Sequence, residues 1–353
     1  MKQTGRAHAV FATRAGEAGI DRAYSDTIRK ELEAQLDFVD MLQADDLNDD
    51  HTPADPATWA RFREVRYIFT TWGMPALSRE TIRSYFPALE AVFYAAGSVQ
   101  SFARPFLDEG VRIFSAWEAN AIPVAEYTLA QIILAGKRFF HASRLYSEVS
   151  HAEAAAVGRG CHGNYDLTVS LLGCGAIGRA VIEFLRPFNY HILVFDPFLP
   201  EEEAAALGVK LVPLHTAFEE GNIISNHLAN NEHTVGMLNG ECFQRMKPDA
   251  TFINTGRGAQ VVEDELIEAL EAEPLREALL DVTWPEPVAE DHPFRTMPNV
   301  VLTPHIAGSL GAEIFRMGSY MAESFTEFSR ATADDRVGQL PREVTLEMLE
   351  HMA

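Results

Sequence analysis

The chain has 353 residues, 47% of them hydrophobic and 23% charged, a globular balance that excludes a disordered or fibrous protein. Single cores stop growing near ~250–300 residues, so two domains are expected. Lys and Arg number 29 against 51 Asp and Glu, a formal charge of -22, which argues against nucleic acid or an anionic membrane surface as partner.

Cys161, Cys174 and Cys242 lie far apart, which speaks against a disulfide framework and for a reducing compartment. Met1–Ala18 has no long apolar run, so no signal peptide is expected. Ala121–Ala135 is apolar but interrupted by Glu126 and Gln131, too short and polar to span a bilayer. A soluble, cytoplasmic protein is the expectation.

In chain order, His8–Ala12 reads as a short strand, and Tyr24–Met41 has helical spacing through Ile28, Leu32, Leu36 and Val39. Asp45–Asp55 is polar, carries Pro53 and reads as loop. Val65–Thr71 is a strand candidate running into Trp72-Gly73-Met74-Pro75. Ser78–Phe86 reads as a helix with Ser78 as N-cap. Leu89–Ala95 and Val111–Ser115 are further strands, and the alternation points to a parallel sheet. Asn120–Phe140 reads as one long helix buried between domains, and His141–Gly163 as helix end and surface loop.

The clearest pattern starts at Leu167–Leu172, a strand followed by a glycine turn and a helix over Ile177–Leu185. Strands then alternate with helices: His191–Phe195, Lys210–Val212, Asn222–Asn226, Ala250–Ile253, Ala278–Val282 and Val300–Leu302, with helices at Glu201–Leu207, Met237–Met246 and Glu263–Ala272. That is a doubly wound sheet of about six strands. Gly311–Arg330 is a last long helix, and Ala331–Ala353 a polar closing element.

The turn Gly173-Cys174-Gly175-Ala176-Ile177-Gly178 is a G-x-G-x-x-G run between strand and helix. Gly173 permits a tight turn, Gly175 lets backbone approach a pyrophosphate, and Gly178 lets helix pack on strand. The phosphates would meet free N–H groups at the helix N-terminus. Asp196, at the end of the next strand, can accept both ribose hydroxyls of NAD and would repel the extra phosphate of NADP, so NAD is expected. Cys174 is read as a small side chain in the turn, not a nucleophile.

Further polar residues follow strand ends, where open α/β sheets bind ligands. Arg257 sits between Gly256 and Gly258 after Asn254-Thr255, and its planar fork suits a carboxylate. Asp281 ends a strand, and Glu286 is held between Pro285 and Pro287. His305 follows Thr303-Pro304 past another apolar strand.

Together these motifs resemble the D-isomer-specific 2-hydroxyacid dehydrogenases, as do Val124-Ala125-Glu126, Phe195-Asp196-Pro197 and Met246-Lys247-Pro248. The similarity runs from about Ala96 to Ala307. The resemblance implies two doubly wound α/β parallel-sheet domains, a Rossmann-type coenzyme domain inserted into a flavodoxin-like substrate domain. Residues 1–119 and 311–353 would form the substrate domain and 120–310 the NAD-binding domain. It further implies a homodimer that reversibly reduces a 2-oxo acid to a D-2-hydroxy acid with NAD. Arg257 would bind substrate, His305 would be the acid/base and Glu286 would orient it. Asp281 would lie near the nicotinamide, His227 near the cofactor, and Ala176, Ile177, Thr255 and Gly256 with the glycines at the cofactor.

The sequence departs from the family pattern in two loops. Ala229 and Asn231 replace the proline and threonine usual after His227. Ala96-Gly97-Ser98 keeps one glycine of two. Trp72, Gly73, Gly97 and Ser98 would border the substrate. Trp72 is either an aromatic wall for a bulkier acid or a packed core or interface residue. A zinc site at Cys161-His162 with His151 lacks the usual ligand spacing, and no metal is expected. The rival reading is a non-enzymatic protein that senses NADH on the same fold.

Overall fold

A computed structural model describes residues 5–14, 16–43, 47–48, 52–333 and 338–351. The expectations for Met1–Ala18, Asp45–Asp55 and Ala331–Ala353 lie partly outside them. The chain divides into one unit of residues 1–120 and 309–353 and a second of residues 121–308.

The first unit holds β1 (Ala7–Thr13), β2 (Leu36–Phe38), β3 (Leu42–Gln43), β4 (Val65–Thr70), β5 (Ala91–Tyr94) and β6 (Arg112–Ser115). They pair in parallel in the order β2-β1-β4-β5-β6, with β3 also on β1. This is the flavodoxin-type strand order. Glu343–Val344 adds an antiparallel strand beside β6.

Alternation along each strand builds two core faces. Val10, Ile68, Val92 and Ile113 point to one face, and Phe11, Phe69, Phe93 and Phe114 to the other. Phe69 stacks on Phe93 at 5.0 Å and Phe93 on Phe114 at 5.1 Å. The helix Glu313–Ala333 closes this aromatic face with Phe325 and Phe328.

The expected helix over Tyr24–Met41 is shorter: it runs Asp26–Glu33, and Leu36–Phe38 is strand. Phe38 stacks on Phe11 at 4.5 Å, a contact that strand geometry beside β1 makes and a continued helix would not. Ser78 caps Arg79–Tyr85, its hydroxyl accepting from Thr81 N at 3.1 Å.

The second unit holds β7 (Leu167–Leu172), β8 (Tyr190–Phe195), β9 (Lys210–Leu211), β10 (Ile223–Asn226), β11 (Thr251–Asn254), β12 (Glu277–Leu280) and β13 (Val300–Leu302). All pair in parallel in the order β13-β12-β11-β10-β7-β8-β9. That is the Rossmann order with one more strand at an edge, and the order reverses between β7 and β10.

The long helix expected over Asn120–Phe140 is two helices, Trp117–Ala135 and Phe139–Leu145. Arg138 breaks them with a left-handed φ of 49°. Its buried guanidinium bonds Asp249 at 3.0 Å, a contact that outweighs local helix propensity. The loop expected after it holds a further helix, His151–Arg159, started by a capping box of Ser150 and Glu153. Met237–Met246 is helical only over Gly240–Phe243. Among the described residues, no helix is long and apolar enough to cross a membrane.

Candidate active site

Parallel strands bring the chemistry-bearing residues of the second unit to one edge. Gly173 follows β7, Asp196 follows β8, His227 follows β10, Thr255 follows β11, Asp281 follows β12 and Thr303 follows β13. This is the carboxyl edge, and β7 and β10 flank the point where strand order reverses.

The glycine turn is tight where it must be and open where a ligand would sit. Gly173 has a φ of 96°, and a Cβ there would lie 2.6 Å from the His227 carbonyl oxygen. A Cβ on Gly178 would lie 2.3 Å from the Gly173 carbonyl oxygen. Nothing lies within 4 Å of a Cβ on Gly175, which is the N-cap of Ala176–Leu185. Exposed Ala176 and half-buried Ile177 open that helix. Asp196 ties the turn to β8: Cys174 N donates to its Oδ2 at 2.7 Å and Phe198 N to its Oδ1 at 2.8 Å. A carboxylate has about four acceptor positions, so the partly exposed Asp196 retains capacity for two hydroxyls.

His227 is buried. Its Nε2 meets Ser225 Oγ at 2.9 Å, and its Nδ1 is buried without a hydrogen-bond partner among the described residues. Burial pushes its pKa down to about 4. It is therefore a neutral ring with one polar atom unspent, beside Gly173. An open cradle at Gly175, a partly used Asp196 and this orphaned nitrogen fit a dinucleotide. Burial pushes the Cys174 thiol up to about 11, which removes it as a thiolate nucleophile.

Three loops carry the remaining groups. Arg257 is half-buried and extended, and its Nη1 donates to Gly256 O at 2.8 Å. A Cβ on Gly258 would fall 2.0 Å from the Thr283 carbonyl carbon, so only glycine lets this loop lie on the next one. That next loop carries Trp284 and Glu286, and Glu263 holds it by accepting from Trp284 N at 2.8 Å.

His305 Nδ1 meets Glu286 Oε1 at 2.7 Å, with both side chains partly exposed. The ring nitrogen not engaged by Glu286 is Nε2. His305 has a φ of 54°, a left-handed conformation that a non-glycine residue keeps only when held. Asp281 does the holding. Thr303 Oγ1 and Ile306 N donate to its Oδ1 at 2.6 and 2.9 Å, and Ala307 N to its Oδ2 at 2.9 Å. His305 N also donates to Asp281 O at 3.0 Å. Tyr127 OH meets Thr303 Oγ1 at 3.0 Å and extends this network.

In the first unit, Trp72 and Gly73 follow β4 and Gly97 and Ser98 follow β5, so both pairs lie at the carboxyl edge of that sheet. Gly73 has a φ of 85°, and its carbonyl accepts from Arg14 N at 2.8 Å. Trp72 is 40% exposed, which removes the packed-core reading, and Arg22 sits over its ring at 5.9 Å. His162, weighed as a metal ligand, instead meets Asp249 Oδ2 at 2.7 Å. Among the described residues, no group of three or more His, Cys, Asp or Glu is arranged to hold a metal ion.

Sequence reading did not single out Asn226, Gln260 or Tyr127. The first two are fully buried amides, and the available signals were the polar run Ser225-Asn226-His227 closing an apolar strand and Gln260 just before Val261-Val262.

Residues 129–307 match the family model described as D-isomer specific 2-hydroxyacid dehydrogenase, NAD binding domain. D-3-phosphoglycerate dehydrogenase of Archaeoglobus fulgidus is 29% identical over 232 residues, 66% of this chain and 44% of that one. Glyoxylate reductase of Korarchaeum cryptofilum is 33% identical over 210 residues, 58% of this chain and 62% of that one. The alignments span about half the length of these curated relatives. A solved phosphoglycerate oxidoreductase from Rhizobium etli superposes with a TM-score of 0.74 at 24% identity, over 92% of this chain and 95% of that one.

Proposed function

The chain belongs to the D-isomer-specific 2-hydroxyacid dehydrogenase family, and from that footing we propose that it reversibly reduces a 2-oxo acid to a D-2-hydroxy acid with NAD as cofactor. The observation that carries the reading is the His305–Glu286 pair at 2.7 Å, on the same sheet edge as Arg257 and the glycine turn. Relatives named for phosphoglycerate and glyoxylate support a small-molecule carboxylic acid as substrate class.

The residues divide the work by their chemistry. Gly173, Gly175, Ala176, Ile177 and Gly178 would receive the pyrophosphate at the N-terminus of Ala176–Leu185, and Asp196 the adenosine ribose. Asp281 would lie toward the nicotinamide, and His227, Thr255 and Gly256 beside the cofactor. When bound, the reduced cofactor supplies the hydride that the 2-carbon of the acid takes up. Arg257 would grip the acid's carboxylate with its planar fork. His305 Nε2 would hold the proton that passes to the carbonyl oxygen, and would take it back in the oxidative direction. Glu286 fixes the ring through Nδ1 and so aims Nε2. Trp72, Gly73, Gly97 and Ser98 are assigned to substrate by the same reading.

We take the protein as a cytoplasmic homodimer. Three free cysteines support a reducing compartment, and exposed Phe139 and Tyr146 at the two ends of one helix support a further apolar contact.

The test is loss of NADH absorbance over a panel of 2-oxo acids, with the His305→Ala variant beside the native chain. The variant is expected to lose about 10²–10⁴ in turnover and to keep NADH binding. Near-native turnover in the variant overturns the assignment. Tight NADH binding with no activity on any acid favours the NADH-sensing alternative.

A further inference from the structure

We infer that Gln260, acting through Asn226 and Asn254, is a positioning residue for Arg257. The inference rests on the function proposed above and adds a group that touches neither substrate nor cofactor.

The three amides are almost wholly buried, at 0, 0 and 1% exposure for Gln260, Asn226 and Asn254. Strand pairing starts the arrangement, because β10 and β11 set Asn226 directly beside Asn254. Asn226 Nδ2 donates to Asn254 Oδ1 at 3.0 Å and to Gln260 Oε1 at 2.7 Å. Asn226 Oδ1 accepts from Leu228 N at 3.2 Å. Gln260 Nε2 donates to Leu228 O at 3.0 Å and Ala229 O at 2.8 Å.

The donors and acceptors permit one orientation only. Turning the Gln260 amide over would aim its NH₂ at Asn226 Nδ2 and its oxygen at two carbonyls. Turning Asn226 over would set its NH₂ against Leu228 N. Each flip puts donor on donor in a place water does not reach. A fully satisfied buried network of this kind is rigid.

Its position makes that rigidity useful. The network joins the loop that starts at His227 to the loop that carries Arg257. Arg257 lies between its two anchors. Its carbonyl accepts from Asn254 Nδ2 at 3.3 Å, and the short turn Gly258–Gln260 follows it directly. Gly256, just before it, is closely packed on the same amides: a Cβ would sit 3.0 Å from Asn226 Nδ2 and 3.2 Å from Gln260 Oε1, so they would have to give by a few tenths of an ångström. The backbone on both sides of Arg257 is therefore fixed by amides, while the guanidinium stays half-exposed at the ligand edge.

The test is a double-mutant cycle between Gln260→Leu and Arg257→Lys, read by KM for the 2-oxo acid, by kcat and by calorimetric binding of oxamate with NADH present. Gln260→Leu is expected to raise KM and weaken oxamate binding about tenfold, with kcat changed less than about threefold. In the Arg257→Lys background the same change is expected to have little further effect. A second variant, Gln260→Met, keeps an unbranched side chain of similar length without its amide, leaves the Asn226 bonds to Asn254 and Leu228 in place, and guards against a leucine variant that fails to fold. It is expected to fold and to lose oxamate affinity to a similar extent. An unchanged KM in folded Gln260→Leu, full additivity with Arg257→Lys, or native oxamate affinity in Gln260→Met overturns the inference alone. A native protein that neither turns over any acid nor binds oxamate overturns the proposed function together with it.

Discussion

Glu277 begins β12 with a buried carboxylate, and desolvation lifts its pKa from 4.5 to about 7 despite Arg138 nearby and a backbone hydrogen bond from His141. Between those values the folded protein keeps a proton that the unfolded chain has lost. Stability from this residue therefore falls as pH rises from about 4.5 to about 7. His227 works in the opposite sense. Its folded pKa of about 4 lies below the ordinary 6.5, so the unfolded chain gains the proton first and stability is lost as pH falls through that window. Glu277→Gln removes the first slope and leaves the second. Denaturant titrations at about pH 5 and pH 8 are expected to show the variant gaining on the native chain at the higher pH, by on the order of 1–3 kcal/mol. An equal pH dependence in both would rule this out. At this scale the sequence exposed the residues that sit in motifs. Arg257, Glu286 and His305 stand out because each is polar beside glycine or proline after an apolar run. Gln260 and Asn226 do not, because their meaning is a bond across 34 residues of chain.

At the scale of elements, the glycine turn and the helix after it act as one piece. The Gly178 hydrogen faces the Gly173 carbonyl, so any larger side chain must push the start of Ala176–Leu185 off β7. Gly178→Ala is expected to weaken NADH binding at least about tenfold while circular dichroism stays close to native. An unchanged dissociation constant would detach the turn from the cofactor. Strand–turn–helix units such as Leu167–Leu185 were legible because hydrophobic pattern, glycines and spacing agree there. The helix break at Arg138 was not legible, because an ion pair to Asp249, far along the chain, decides it. Leu36–Phe38 failed for a related reason: Leu32 and Leu36 fit a helical repeat, and pairing with β1 and stacking of Phe38 on Phe11, both distant in sequence, favour strand.

At the scale of the whole molecule, the charge of -22 acts as a self-repulsion that salt relieves. Calorimetry between about 10 and 200 mM sodium chloride is expected to show the melting temperature rising by a few degrees. A flat or falling Tm would mean that local ion pairs outweigh the net charge. The same negative charge surrounds a site that is proposed to take two anions, so Arg257, His305 and the N-terminus of Ala176–Leu185 must set the local field there.

The division of the chain also imposes an order on synthesis. Phe69, Phe93 and Phe114 leave the ribosome early, but the helix that covers them begins at Glu313. All of residues 121–308 must emerge in between, and that unit contains its own complete sheet and core. The inserted unit can finish folding on the nascent chain while the flanking one still shows an uncovered row of stacked phenylalanines. Translation that stalls before Phe325 would leave that aromatic row as the surface a chaperone must shield.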